Sequence, residues 1–256
     1  MVVAPESTWA GDQDAGLLTL VGVGPGDPEL VTVAAVRAIR AAATVAYPVA
    51  RRGADGVAAR IAAPWIRSSQ RRLPLLFPMV EEAEPRLEAW NGAADQLAEE
   101  LERARRVVLL CVGDVSLYAT ASYVLLALRR RHPGCRLRLI PGITAMAAAA
   151  AGALWPLALQ QEGLMVRPTP ESPEALEDLL RQAEAGGWVL ALHKLGHRWP
   201  WVRETLERRG RLRDALFAQR LGWEDQVLAP ASEVPSGQRP YFSMLLIRRG
   251  WPAVLP

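Results

Sequence analysis

A two-unit α/β fold is predicted by three observations. Short apolar runs alternate with segments of helical period along the whole chain, glycine-bearing turns follow three of those runs directly, and the ending is strand-rich. With 256 residues, 50% of them hydrophobic, the chain can bury a sizeable core in one large domain or two small ones.

The elements follow in order. LLTLVGV, Leu17 to Val23, reads as a strand that runs into glycines. Asp27 followed by Pro28 reads as a helix cap and a first-turn proline, opening a helix through about Ala42. Ala43 to Val49 is a second strand, Ala54 to Ala63 a helix, Leu73 to Met79 extended, Glu82 to Arg105 a long amphipathic helix and Arg106 to Val112 a buried strand. A helix is predicted over Leu117–Arg131 and a strand over Arg136–Ile140. After a junction near Pro141 and Gly142 the alternation resumes. A helix starts at Ala145, a strand lies near Leu164–Arg167, a helix spans Pro173–Ala185 and a strand Trp188–Leu192. A further helix runs to about Arg209, followed by strands near Leu216, near Val227 and over Tyr241–Arg249. Residues 1–16 are polar and aperiodic, and are expected to be a flexible tail rather than a signal peptide. The units are therefore expected at 17–140 and 141–256.

Composition narrows the function. The longest uncharged run, Ile143 to Leu159, is mostly alanine and is broken by Pro156, so no membrane span is expected. Cys111 and Cys135 make no spaced set with the three histidines, which argues against zinc or a disulfide framework and fits a reducing cytoplasm. The net charge of +3 is spread over arginines interleaved with apolar residues, so nucleic acid is not the expected partner and an anionic small ligand is. Of thirty basic residues, Lys194 is the only lysine. A lysine offers a compact donor with a movable pKa, which a guanidinium does not.

VGVGPGDP, Val21 to Pro28, is the sharpest local pattern. A dinucleotide turn would need a third glycine where Asp27 stands, and that acid would repel a pyrophosphate. A nucleotide P-loop is excluded as well, because no Gly-Lys-Ser/Thr follows and Pro25 lacks an amide donor. The second strand ends in AYPV, without the carboxylate that a Rossmann cofactor site uses on ribose. What remains is either a tight packing turn or a site for a ligand without phosphate. Two more turns, VGDVSLY (Val112 to Tyr118) and IPGITA (Ile140 to Ala145), also follow strands and precede helices, where open α/β sheets present ligands. Asp114, at the end of an apolar strand, is a candidate helix cap or ligand contact, and as a loop acid it is not expected to support the core.

With these three motifs in this order, the chain resembles the tetrapyrrole methylase family, from about Leu17 to Arg249. The resemblance implies two α/β domains that are not Rossmann-like, a cofactor cleft between them, S-adenosyl-L-methionine as methyl donor, no metal, and a homodimer. It implies cofactor contacts at Gly24, Pro25, Val112, Gly113, Asp114, Leu117, Thr144 and Ala145, with His193, Arg220 and Leu221 added from the second domain. Two departures stand out: Val115 replaces the proline of the second motif, and Thr144-Ala145 replaces the more usual Ser-Ser. Within the family, LLFPM, GDVSLYAT, HKLG and YFSMLLIRR resemble the branch that methylates precorrin-2 at C-20 in corrin synthesis. Tyr47-Pro48 stands where the uroporphyrinogen enzymes carry Tyr-Asp.

That implied substrate is a polycarboxylate, for which arginine forks are suitable partners. Arg51, Arg52, Arg167 and Arg239, all expected in loops, are the candidates. An electron-rich bridging carbon can attack a sulfonium methyl directly, so positioning should supply most of the catalysis. Lys194, Tyr241 and Glu162 are the candidates for accepting or orienting a proton, and sequence leaves the choice among them open. So do the other classes: another tetrapyrrole C-methyltransferase, an RNA ribose methyltransferase, or a chain that binds the cofactor without turnover.

Overall fold

The structure is a computed structural model that describes residues 16–80, 82–103 and 106–251. The tail expected over residues 1–16 therefore lies, apart from Gly16, outside the described residues. The chain divides into two compact units, Met1–Thr144 and Ala145–Pro256.

The first unit contains β1 (Leu17–Gly22), α1 (Val33–Ala41), β2 (Thr44–Val49), α2 (Val57–Ile61), β3 (Arg71–Leu76), α3 (Ala83–Arg103), β4 (Arg106–Cys111), α4 (Thr120–Arg131) and β5 (Arg136–Ile140). All pairings in its sheet are parallel, in the order β3-β2-β4-β1-β5. A parallel sheet must be covered on both faces, which is why β1 and β4 are near-continuous apolar runs. Leu18, Leu20 and Leu109 pack on one face with Leu97 of α3 and Val124 and Leu128 of α4. Val21, Val108 and Leu110 pack on the other with Ile39 of α1 and Ile61 of α2. The helix that follows β1 thus lies on the opposite face from the helix that follows β4. Because β1 and β4 are neighbours, the loops at their carboxyl ends start side by side and lead to helices on opposite faces of the sheet.

Three helix starts differ from the sequence expectation, the simplest being α2, which begins at Val57 behind Gly56 rather than at Ala54. Asp27 caps only a 3-10 turn, Pro28–Leu30, and α1 begins afresh at Val33 under the Thr32 hydroxyl, which accepts from the Ala35 amide. The helix expected from Leu117 begins at Thr120, because Tyr118 takes a left-handed backbone (φ 52) that no α-helix continues.

The second unit contains α5 (Ala145–Gly152), β6 (Gly163–Pro168), α6 (Pro173–Gly186), β7 (Trp188–His193), α7 (Trp199–Arg208), β8 (Ala215–Gln219), β9 (Val227–Pro230) and β10 (Ser243–Ile247). Its sheet is mixed, ordered β6-β7-β10-β8-β9, with only β6 and β7 parallel. Leu190, Phe217 and Leu245 face α6 and α7 through Leu176, Trp199 and Leu206, and the Trp199 ring lies 5.0 Å from Phe217. Ala191, Ala218 and Leu246 face Ala149 and Ala150 of α5. The final strand is shorter than its apolar pattern, since Tyr241 and Phe242 sit in a bend before it.

Candidate functional site

In the first unit the three glycine turns meet. Gly24 and Gly113 exchange two hydrogen bonds: the Gly24 amide donates to the Gly113 carbonyl at 3.2 Å, and the Gly113 amide donates to the Gly24 carbonyl at 2.7 Å. Both residues have left-handed φ, +76 and +71, which glycine adopts without a Cβ penalty. Gly22 and Gly142 are glycine for a different reason. A Cβ on Gly22 would lie 2.6 Å from the Gly142 nitrogen and 2.7 Å from the Gly113 oxygen, and one on Gly142 would overlap that same oxygen. Three backbones therefore converge at the carboxyl ends of β4, β1 and β5, closer than any side chain allows.

Asp114 ties this junction together. One carboxylate oxygen accepts from the Ser116 amide at 2.8 Å and from the Ser116 hydroxyl, and the other accepts from the Gly142 amide at 2.9 Å. Burial alone would raise its pKa, but the Ser116 hydroxyl and the amides of Ser116, Gly142 and Val115 outweigh it and hold the carboxyl below its usual range. The expectation of a loop-exposed acid is corrected here, since Asp114 is only 9% exposed. It is also not the cap of α4, whose N-cap is Ala119. Val115, in place of the motif's proline, is buried against the α4 side of the core, and its carbonyl accepts from the Ser122 hydroxyl at 2.7 Å.

Pro25 is buried beside Gly24, whereas Val112, Gly113 and Leu117 are half-buried on the rim. Thr144 closes the first unit, and Ala145 is the first residue of α5 in the second. Arg51 and Arg52 are exposed in the loop after β2, at the same carboxyl-end rim of the first sheet. The segments 21–28, 112–118 and 141–145 carry no lysine or arginine.

The second sheet has its own rim. β6, β7 and β8 all run in one direction, so Pro168, His193 and Gln219 end where β10 begins at Ser243. This rim gathers His193, Lys194, Arg220, Leu221 and Tyr241, together with Arg167, which is an exposed residue of β6 paired with Leu192 and not the loop residue expected. Lys194 and Arg220 both have left-handed φ, 58 and 46, a non-glycine conformation that clusters at functional sites. The Arg220 amide donates to the Phe242 carbonyl at 2.8 Å, and its guanidinium pairs with Asp225. The Leu221 side chain is buried in the α5 side of the core. Burial, with the Lys194 charge as a second cause, pushes the His193 imidazole down to about 4, so it is neutral near pH 7. Tyr241 is half-exposed; burial raises its phenol, and the Arg198 charge works against that.

Two candidates are engaged elsewhere. Glu162 forms a bidentate pair with Arg248 at 2.9 and 2.8 Å, and its second oxygen also accepts from the Leu159 amide. Arg248 is 3% exposed, lies 4.5 and 4.2 Å from the Trp155 and Trp251 ring centres, and donates to the Pro156 carbonyl. Glu162 thus serves a buried ion pair that holds the segment after α5. Arg239 donates to the Pro235 carbonyl at 2.8 Å and lies over the Phe217 ring. Sequence reasoning missed the roles of Gly22, Ser116 and Gly142, and the anchors of the Lys194 turn, Thr169, Arg198 and Ser243.

The family described as Tetrapyrrole (Corrin/Porphyrin) Methylases matches residues 17–234. The precorrin-2 C(20)-methyltransferase of Sinorhizobium sp is 31% identical over 92% of this chain and 96% of that protein. The cobalt-precorrin-2 C(20)-methyltransferase of Salmonella typhimurium is 28% identical over 92% and 98%. The cobalamin biosynthesis protein CobIJ of Mycobacterium tuberculosis is 35% identical over 92% of this chain, which spans about half of it, 46%. Among solved structures, the methyltransferase CobJ superposes with a TM-score of 0.66 at 27% identity, covering 91% of this chain and 94% of that one. The cobalt precorrin-4 methyltransferase CbiF shares the fold, with a TM-score of 0.68 at 21% identity over 94% and 98%. By the span of the family match, and by glycine turns that converge where the family's motifs lie, the chain belongs to the tetrapyrrole (corrin/porphyrin) methylase family.

Proposed function

We propose that the protein is an S-adenosyl-L-methionine-dependent C-methyltransferase that methylates precorrin-2 at C-20, giving precorrin-3A, in cobalamin synthesis. The observation that carries the cofactor is the convergence of the three glycine turns, whose own segments carry no lysine or arginine. Such turns suit a zwitterionic ligand held by main-chain groups better than a phosphate, whose charge calls for cationic side chains within the turns themselves. When bound, the cofactor supplies an electrophilic sulfonium methyl. Gly24, Pro25, Val112, Gly113, Leu117, Thr144 and Ala145 would hold it, with Asp114 fixing the turns rather than acting as a strong base. His193, Arg220 and Leu221 remain proposed contacts, with the neutral imidazole avoiding a second positive charge.

The substrate rests on the end-to-end likeness to the Sinorhizobium enzyme. Arg51, Arg52 and Arg167 are exposed and suited to its carboxylates. Lys194 and Tyr241 would orient the tetrapyrrole, and Glu162 is left to its structural pair. The Salmonella relative supports cobalt-precorrin-2 as a second reading. Labelled cofactor, offered with precorrin-2 and separately with cobalt-precorrin-2, tests both: the labelled methyl should be found at C-20. A label at another carbon would make this a different tetrapyrrole C-methyltransferase. Transfer to RNA with steep salt dependence would replace the reading altogether. A homodimer in the cytoplasm completes the proposal, and sedimentation measures the assembly.

A further inference from the structure

The left-handed turn at the end of β7 is held from three directions. The Thr169 amide and hydroxyl both donate to the His193 carbonyl, at 2.7 and 2.9 Å. The Leu195 amide donates to the Ser243 carbonyl, and the Gly196 amide to the Ser243 hydroxyl, each at 3.0 Å. The third anchor is Arg198, whose Nη1 donates to the Lys194 carbonyl at 3.3 Å. The same guanidinium grips Glu171 through two bonds, Nε to Oε2 at 2.9 Å and Nη2 to Oε1. Its side chain is 18% exposed whereas that of Glu171 is 80% exposed, so the arginine is drawn into the turn and the acid secures it from outside.

An exposed ion pair alone would contribute little. A planar fork that joins the loop before α6 to the carbonyl of one strained residue does something more specific, since it fixes where that residue's side chain starts. A left-handed non-glycine residue persists only where its surroundings over-determine it, and Lys194 is both that residue and the only lysine in the chain. Resting on the function proposed above, we infer that Arg198 is a positioning residue, secured by Glu171, that holds the turn so that Lys194 is presented to the substrate at the strand-end rim. Arg198 also acts electrostatically on Tyr241, so it addresses both residues proposed to orient the tetrapyrrole.

The test has two arms, using Arg198→Met and Glu171→Gln in the full chain. Amide exchange of the segment 193–196 should rise about tenfold in both variants, while α6 and β8 exchange as in wild type. In the second arm, Arg198→Met should lower kcat by about tenfold, with S-adenosylhomocysteine affinity changed less than twofold; in a Lys194→Met background the same change should cost nothing further. Unchanged exchange in the turn, or equal losses in both backgrounds, overturns the proposal. Glu171→Gln alters an exposed side chain and keeps the exchange arm decisive if Arg198→Met does not fold. A wild-type protein that fails to methylate precorrin-2 would defeat the proposed function instead, and the exchange arm would then decide the positioning role alone.

Discussion

The Asp114 carboxylate receives the Gly142 amide at 2.9 Å, joining the turn after β4 to the turn after β5 across the intervening turn of β1. Asp114→Ala should leave that amide and the Ser116 donors without an acceptor, costing about 1–3 kcal/mol of stability by urea unfolding. It should also weaken S-adenosylhomocysteine binding measured by calorimetry. Asp114→Asn keeps one acceptor oxygen and should fall between the two. The folded-state pKa of Asp114 lies below the unfolded value, so its charged form contributes stability that is complete above about pH 4 and is lost as pH falls through the folded value. Asp114→Asn should flatten that acid limb; an unaltered acid limb would mean that the carboxylate does not hold the junction.

Glycine substitutions separate close packing from backbone conformation. Gly142→Ala and Gly22→Ala drive a methyl into main-chain atoms that have no rotamer to change, and should cost about 1–3 kcal/mol or prevent folding. Gly113→Ala meets open space, so only its φ of +71 opposes it, at about 1–2 kcal/mol. Gly24→Val combines positive φ with a Cβ 3.2 Å from the Leu30 carbonyl oxygen and should abolish cofactor binding. Normal binding by Gly24→Val would reduce that turn to a packing element.

The buried pair of Glu162 and Arg248 gives a test of a different kind. Arg248→Met strands a largely buried carboxylate beside two tryptophans, and removing one partner of such a pair costs about 3–5 kcal/mol. Glu162→Gln should likewise lower Tm while preserving kcat per folded molecule. Loss of kcat at full stability would restore Glu162 as a proton acceptor.

His193 provides a titration. Its folded-state value of about 4 lies below the ordinary 6.5, so the neutral form contributes stability that is present above about pH 6.5 and is lost as pH falls toward 4. Burial is the larger cause and the Lys194 charge the second. Lys194→Met should therefore raise the imidazole pKa read by NMR, yet leave it below 6.5. An imidazole that titrates at its ordinary value in wild type would contradict the buried placement.

Much of the fold is legible in sequence because β1 and β4, covered on both faces, need continuous apolar runs, and α6 shows its cap and its apolar face openly. The missed helix start at Thr120 has a local cause: Tyr118 looks helical by type but adopts φ 52. Gly24 and Gly113 could be read as turns, whereas Gly22 and Gly142 owe their identity to each other across a long stretch of chain, which no local pattern displays. The same holds for Asp114, whose partner at Gly142 is a main-chain amide, and for Glu162, whose arginine lies 86 residues away. Chemical type identified these residues as notable, but their roles depend on contacts that only the fold supplies.

Lys194 sets stability against function within one residue. Its φ of 58 is unfavourable for any side chain with a Cβ, so Lys194→Gly should relieve strain and raise stability by about 1 kcal/mol while losing methyl transfer. Lys194→Arg is the sharper comparison, because it keeps both the charge and the backbone requirement and alters only reach and shape. If the lysine is a surface cation, arginine should serve equally well in a chain with twenty-nine others. If its ammonium orients the tetrapyrrole, the larger planar group displaces the substrate, and an error of about 1 Å can cost on the order of a hundredfold in rate. Methyl transfer by Lys194→Arg should therefore fall steeply at saturating precorrin-2, with S-adenosylhomocysteine affinity unchanged. Transfer within about twofold of wild type at both low and saturating substrate, well short of that displacement penalty, would remove Lys194 from the site. The Lys194→Gly outcome would then be a simple relief of backbone strain.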